Sequence, residues 1–177
     1  MRRKTKNRLK RLFGIALAVA LAVGFNPCQA AAAESVMTLV LTETSELPDY
    51  DDPNVIWTTA SGGTGGSARA LYLVDCSIGM GYSSQGLSMS FVTGCSEEAA
   101  EIGVSDVKVQ KKVGIFWSTV ASGAGSYEEN SYDYGATSLY PNTEYGSTYR
   151  VSCRHYAYVD GTYIYLDNET DGHKCTY

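Results

Sequence analysis

Residues 149–167, YRVSCRHYAYVDGTYIYLD, constrain the fold of this chain more than any other stretch. Asp160-Gly161 is a strong signal for a two-residue hairpin loop, because a type I′ turn needs positive φ at both central positions. If these two residues form the loop, Val159 faces Thr162, and the pairing of the remaining residues follows from that register. The stretch is therefore predicted to be a long β-hairpin.

The turn also decides which side chains of the hairpin share a face, because strand side chains alternate between the two sides of a sheet. One face is mostly apolar and is predicted to join a core; it carries Tyr149, Val151, Cys153, His155, Ala157, Val159, Ile164 and Leu166. The opposite face carries two tyrosine pairs and one pair of opposite charges, Tyr158–Tyr163, Tyr156–Tyr165 and Arg154–Asp167.

The four tyrosines have two interpretations. Cross-strand aromatic and charge pairs stabilise a hairpin by roughly 0.2–1 kcal/mol each, so the tyrosines can serve the hairpin alone. Alternatively, the rings form a flat surface that binds a sugar ring or a protein partner. The candidate ligand-binding residues under this second interpretation are Tyr156, Tyr158, Tyr163, Tyr165 and Arg154.

The first 33 residues have the three parts of a secretory signal peptide. MRRKTKNRLKR is basic and contains no acid, residues 12–25 are mostly apolar, and residues 30–33 are small alanines suited to cleavage. The apolar run is shorter than the ~20 residues that a membrane-spanning helix needs. We therefore expect cleavage near Ala32 or Ala33, a secreted, extracellular protein, and no stable membrane span after cleavage.

Removal of the signal peptide changes the charge of the chain. Seven of the 14 Lys and Arg residues leave and none of the 19 Asp and Glu residues does, so the net charge goes from −5 to −12. Nucleic acids and anionic membranes bind proteins through basic surfaces. The average charge of the mature chain therefore argues against both as partners.

The mature chain is predicted to consist of a tail and one domain. Residues 34–69 are acidic, include SGGTGGS and are typical of a flexible tail or linker. Residues 70–177 are numerous enough to form one domain with its own core.

Four cysteines remain after cleavage, Cys76, Cys95, Cys153 and Cys175. An even number of cysteines in an exported chain favours two disulfides. Three pairings are possible, and the spacing does not choose between them. None of the four has the Cys-x-x-Cys spacing that zinc sites and thioredoxin-like sites use.

The domain is predicted to be all-β. Short alternating apolar patterns and frequent turns are typical of antiparallel sheets, with further hairpin turns expected at 83–86 and 112–115. A short helical turn is expected near 97–102, because Ser96 suits an N-cap and acids follow it. We therefore predict a single antiparallel β-sandwich of about seven strands with an immunoglobulin-like arrangement.

Two resemblances point the same way. LYPNTEY at 139–145 resembles the Leu-x-Pro-x-Thr-x-Tyr corner of fibronectin type III domains, in which the tyrosine hydroxyl bonds to preceding backbone. IGVSDVKVQKK at 102–112, WSTV at 117–120 and TYRV at 148–151 resemble a group of uncharacterised small secreted proteins of Gram-positive gut bacteria. This second resemblance covers roughly residues 70–167 and implies a secreted β-sandwich. It assigns no functional residue and no disulfide.

The sequence holds no clear catalytic or metal-binding pattern. His155 falls on the apolar face of the hairpin, and His173 falls near the C-terminus. Residues 167–172, DNETDG, match the start of a calcium loop, but the glutamate due at its twelfth position would fall beyond residue 177. We expect no enzymatic activity, no cofactor and no metal.

The predicted function is therefore that of a secreted non-enzymatic protein that binds an unknown protein or glycan outside the cell. One alternative is a carbohydrate-binding module that uses the tyrosine ladder. Another alternative is a small secreted hydrolase.

Overall fold

A computed structural model describes residues 36–44, 51–60 and 72–177. These residues contain no α-helix and form nine strands of one hydrogen-bonded sheet, which confirms the all-β prediction. None of the described segments is a helix long and apolar enough to cross a membrane. The predicted signal peptide, residues 1–33, lies outside the described residues. The strands are β1 Met37–Thr38, β2 Thr42–Glu43, β3 Val55–Thr59, β4 Leu73–Ser83, β5 Gly86–Val113, β6 Phe116–Tyr140, β7 Thr148–Val159, β8 Thr162–Glu169 and β9 His173–Lys174.

Strand β5 joins the two halves of the sheet. It is 28 residues long, whereas strands usually have about 3–10 residues. Its residues 87–94 pair with β4 on one side and with the end of β6 on the other. Its residues 99–113 pair with the start of β6, and 101–111 of these also pair with β7. One continuous strand therefore lies beside β4 at its beginning and beside β7 at its end.

The β7–β8 hairpin has the predicted register. Asp160 and Gly161 have φ angles of 49° and 69°, as a type I′ turn requires. Val159 faces Thr162, and all the predicted pairs down to Arg154–Asp167 are present. Every member of the predicted core face is buried. The hairpin turns predicted at 83–86 and 112–115 are confirmed as well.

The helical turn predicted near residues 97–102 is wrong, because these residues belong to β5. The pairing of β5 with β6 shifts between Gly94 and Ala99, where five residue steps on β5 oppose two on β6. Glu97 and Glu98 lie in this irregular part and are exposed, whereas Ala99 is fully buried. The acids that suggested a helix start therefore occupy a bulge, a feature that interrupts a ladder and bends the strand.

Part of the segment predicted as a flexible tail, residues 34–69, forms strands. Strands β1 and β2 pair with β6, and β3 pairs with residues 77–81 of β4. Leu39, between β1 and β2, is buried in the core. Such short strands are stabilised by the neighbours they pair with and carry little sequence pattern of their own. With them, the described residues form nine strands rather than the predicted number of about seven.

Asn168 connects strands that share no ladder. Its Nδ2 donates hydrogen bonds to the carbonyl oxygens of Thr58 in β3, at 3.0 Å, and of Cys76 in β4, at 2.8 Å. In the sheet, β8 pairs with β7 alone. The side chain of Asn168 therefore links β8 to β3 and β4.

The backbone hydrogen bond that the corner resemblance assigns to Tyr145 is made by Tyr149 instead. Tyr145 is 81% exposed, so its ring packs little. Tyr149 is fully buried, and its hydroxyl oxygen accepts a hydrogen bond from the Glu144 N–H at 3.0 Å. Because β7 begins only at Thr148, Tyr149 is the first aromatic residue that can point into the core.

Candidate functional site

The outer face of the β7–β8 hairpin, together with its neighbour β5, forms the candidate site. We call the cluster of Tyr156, Tyr158, Tyr163, Tyr165 and Arg154 the tyrosine face. Strand pairing brings the predicted residues together, since Tyr158 lies opposite Tyr163 and Tyr156 lies opposite Tyr165. All five residues come from one rigid hairpin rather than from loops.

Tyr163 lies at the centre of the tyrosine face. Its ring centroid is 5.5 Å from that of Tyr156 and 5.9 Å from those of Tyr158 and Tyr165. Aromatic rings at 4.5–7 Å attract one another in tilted or offset arrangements, by about 0.5–1.5 kcal/mol beyond their burial. The four rings therefore hold one another in place before any ligand arrives.

Arg154 closes one end of the tyrosine face. Its guanidinium carbon lies 4.4 Å from the ring centroid of Tyr165. Its Nε and Nη2 donate to the two carboxylate oxygens of Asp167, at 2.7 and 3.2 Å. The hydrogen bond to Asp167 raises the pKa of Arg154. The bidentate pair keeps the guanidinium charged and fixed above the ring.

The four tyrosines are not equally accessible. Tyr158 and Tyr163 are 42% and 39% exposed, Tyr165 is half-buried, and Tyr156 is only 8% exposed. The Tyr156 hydroxyl donates to Glu101 Oε1 at 2.6 Å. Burial, and then the Glu101 carboxylate, raise the pKa of Tyr156, so the phenol keeps its proton. Tyr156 is therefore a buried ring that packs against Tyr163. Tyr158 and Tyr163 are the rings that a ligand can reach.

A groove of about 650 Å³ lies beside the tyrosine face. Gly103 of β5 is the direct strand partner of both Tyr127 in β6 and Tyr156 in β7. A Cβ at this position would lie 2.3 Å from the Ser126 carbonyl oxygen and 2.7 Å from the Tyr127 Cα, so glycine permits the close approach of β6 to β5 beside the groove. Glu43 and Glu129 also line the groove. Hydroxyls and carboxylates beside aromatic rings can bind a neutral polyhydroxylated ligand.

This groove is formed by residues that the sequence pattern does not bring together. Tyr127 lies in the stretch 123–130, GAGSYEEN, whose glycines and polar residues favour a loop, but this stretch belongs to β6. Glu43 lies in the segment predicted as a tail. The signal that could have found the groove is the β5–β6 register, which places Tyr127 opposite Gly103.

A second groove, of about 720 Å³, lies between β3, β5 and the β7–β8 hairpin. It is lined by groups of both charges, including Asp106, Lys108 and Asp167. Asp106 has a φ of 53° and sits where the pairing of β5 with β7 shifts. Aspartate tolerates this conformation better than most residues, so the bulge accounts for the unusual angle.

His155 forms a buried polar chain beneath the tyrosine face. The Thr93 hydroxyl donates to the Gly103 carbonyl at 3.2 Å and lies 2.8 Å from His155 Nδ1. Since that hydroxyl has one proton, Nδ1 is the donor towards Thr93, and Nε2 accepts from the Cys153 thiol at 3.4 Å. Desolvation lowers the pKa of His155 to about 4. The imidazole is therefore neutral, satisfied and out of reach of a substrate.

The four cysteines predicted as disulfide partners are buried free thiols, Cys76, Cys95, Cys153 and Cys175. Strand pairing places Cys76 opposite Thr93 and Cys153 opposite Asn168, so neither has another cysteine as its ladder partner. Burial raises the pKa of Cys76 to about 12 and holds the pKa of Cys153 well above its usual range. Both thiols are therefore protonated and apolar in character.

The described residues contain no group of three or more His, Cys, Asp or Glu side chains placed to hold a metal ion. Comparison with protein-family models, with curated proteins and with solved structures found no match to this chain. The function is therefore inferred from the geometry of the molecule itself.

Proposed function

We propose that this chain is a secreted, non-enzymatic binding protein and that the tyrosine face is its contact surface. The observation that carries the proposal is the ring cluster centred on Tyr163, with two accessible rings beside a fixed guanidinium. Tyrosine and arginine are the residue types enriched where binding energy concentrates. The rings are preorganised by the hairpin, which lowers the entropy lost on binding.

The buried groups support a role without catalysis. His155 is neutral and enclosed, and the thiols of Cys76 and Cys153 are protonated. These are strong natural candidates for a base or a nucleophile in a hydrolase, and in this protein they lie in the core. The hydrolase alternative would have to use other groups.

One observation favours a carbohydrate as the ligand. The groove between Tyr127 and Tyr156 has carboxylates of Glu43 and Glu129 on its walls. Carboxylates accept hydrogen bonds from sugar hydroxyls, while tyrosine rings cover the apolar face of a sugar ring. A neutral oligosaccharide lying across Tyr163 and into this groove matches both features.

The proposal also includes the packing of the sheet. We infer that the two halves of the sheet pack face to face as a sandwich. The supports are the long passage of β5 between the halves and the hydrogen bonds of Asn168 to Thr58 and Cys76. An immunoglobulin-like strand arrangement, secretion through a cleaved signal peptide and kinship with small gut-bacterial proteins stay predictions.

Truncating the accessible rings should weaken ligand binding without unfolding the protein. We expect Tyr158→Ala combined with Tyr163→Ala to weaken the binding of any glycan found on an array by about thirtyfold, as the loss of roughly 2 kcal/mol at a hot spot implies. The dissociation constant is measured by titration calorimetry, and circular dichroism checks the fold.

Tyr145→Ala is the matched control. Tyr145 is also an exposed tyrosine, but it lies in the loop between β6 and β7, away from the tyrosine face. Its replacement should leave the dissociation constant unchanged. Binding that survives the double variant would contradict the assignment of the tyrosine face, and an array without a bound glycan would end the carbohydrate proposal.

A further inference from the structure

The tip of the β5–β6 hairpin exposes large apolar side chains to water. The tip consists of residues 113–116, Val-Gly-Ile-Phe. Ile115 is 84% exposed, Phe116 is 72% exposed and Val113 is 57% exposed. Exposing such side chains forgoes the free energy that their burial would provide. Contiguous apolar patches mark places where a protein meets a partner or a membrane.

Basic and aromatic residues stand directly behind the tip. Lys112 pairs with Trp117 across the hairpin, and its Nζ lies 5.9 Å from the indole centroid. The Arg150 guanidinium lies 4.5 Å from the same indole. Lys111 is the next residue along β5. Proteins that bind a bilayer interface often have apolar residues at the contacting tip, with tryptophan and cations behind them.

Two more exposed aromatic residues lie at this end of the molecule. Tyr145 is 81% exposed and Tyr177 is 66% exposed. The ion pair of Lys111 with Glu144, at 2.6 Å, fixes the loop that carries Tyr145 beside β5. The Cys175 N–H donates to the Ser147 carbonyl at 2.7 Å, which ties the C-terminal residues to the same loop.

The cations of the chain concentrate at this end. Seven Lys and Arg residues follow residue 33, and four of them, Lys111, Lys112, Arg150 and Lys174, lie within or beside these strand ends. The net charge of −12 is thus an average over an uneven surface. Lys111 and Arg150 are ion-paired with Glu144 and Glu169, so the local attraction for an anionic partner comes from Lys112 and Lys174 behind the tip.

We propose that this end of the protein docks on an anionic phospholipid bilayer. Val113, Ile115 and Phe116 insert at the boundary between headgroups and acyl chains. Trp117 and the exposed tyrosines lie at headgroup level, and Lys112 contacts lipid phosphates. A second copy of the chain fits less well, because two such tips would bring their lysines together.

The test uses the full chain and vesicles of phosphatidylcholine with phosphatidylglycerol. Since the basic, apolar N-terminal region can itself attach to vesicles, the readout must be local to the hairpin. The chain has a second tryptophan, Trp57 in β3, so every protein in the test carries Trp57→Phe and Trp117 is the only emitter. Tryptophan emission is then followed in vesicles whose lipids are brominated near the glycerol end of the acyl chain. Trp117, next to the tip, should be quenched in the wild-type protein.

Ile115→Asp combined with Phe116→Asp should weaken partitioning into the vesicles at least about tenfold and remove the quenching. Both residues are exposed, so the fold is retained. Lys112→Gln should weaken partitioning into phosphatidylglycerol vesicles about fivefold and leave pure phosphatidylcholine unaffected. Val40→Asp is the matched control, because Val40 is 76% exposed elsewhere on the molecule.

Three outcomes would overturn the proposal. The first is wild-type emission that is unquenched in both lipid compositions. The second is a double aspartate variant that is quenched like the wild type. The third is loss of quenching in Val40→Asp as well. Unquenched emission together with a dimer that the aspartate variant cannot form would identify a second copy as the occupant instead.

Discussion

Replacing Gly125 by alanine should destabilise the protein by about 4 kcal/mol or prevent folding. Gly125 lies in β6 opposite Ser105. Its φ is 103°, a backbone angle that residues with a Cβ rarely adopt. A Cβ there would lie 1.9 Å from the Val104 carbonyl oxygen and 2.7 Å from the Ser105 Cα. Backbone cannot give way as a flexible side chain can, so strain and steric overlap act together.

Gly161→Ala separates the cost of backbone strain from the cost of steric overlap. Gly161 also has a positive φ, of 69°, but an added Cβ would meet nothing within 4 Å. Its replacement should cost about 1 kcal/mol, from backbone strain alone. Urea unfolding measures both free energies. Equal costs for the two variants would show that close approach of β5 and β6 at Gly125 is not required.

The free energy of unfolding should fall by about 3 kcal/mol as the pH decreases from 7 to 4, because of His155. Desolvation lowers the pKa of His155 from 6.5 to about 4, with Asp75 opposing the shift. His155 is therefore protonated below pH 6.5 in the unfolded chain but only below about pH 4 in the folded protein. The stabilisation is complete above pH 6.5 and is lost as the pH falls through this window.

His155→Leu should flatten the dependence of stability on pH between 6.5 and 4.5, as measured by urea unfolding at each pH. Glu144 titrates lower, because Lys111 depresses its pKa, so it affects stability mainly below this window. His173→Gln changes the other histidine and should keep the slope. A slope that persists in His155→Leu would mean that another group is responsible.

Local chemistry was sufficient to predict the β7–β8 hairpin. Asp160 and Gly161 adopt the positive φ angles that the turn demands, and the period of two then sorts every side chain. The prediction reached as far as Arg154 and Asp167, because register in a hairpin propagates from the turn.

Accessibility within the tyrosine face could not be predicted in the same way. The alternation places Tyr156 on the outer face, yet Tyr156 is buried, and its hydroxyl donates a hydrogen bond to Glu101 of the neighbouring strand. That neighbour comes from 55 residues earlier in the chain. The groove at Tyr127 depends on the same long-range pairing.

The helical turn expected near 97–102 shows why local signals fail at a bulge. Ser96, Glu97 and Glu98 suit a helix start, but isolated helical turns are unstable, whereas the flanking residues gain ladder hydrogen bonds with β6 and β7. The segment therefore stays extended and accommodates the extra residues as a bulge.

By itself the sequence determined the all-β class, the three hairpin turns and the two faces of β7–β8. Turn preference and side-chain alternation act between residues that are close along the chain, so they can be seen without a structure. Tertiary structure alone decided that β5 spans both halves of the sheet, that β1–β3 join it, and which rings meet solvent. These features depend on pairing between distant segments, where the free energy of packing outweighs local propensity.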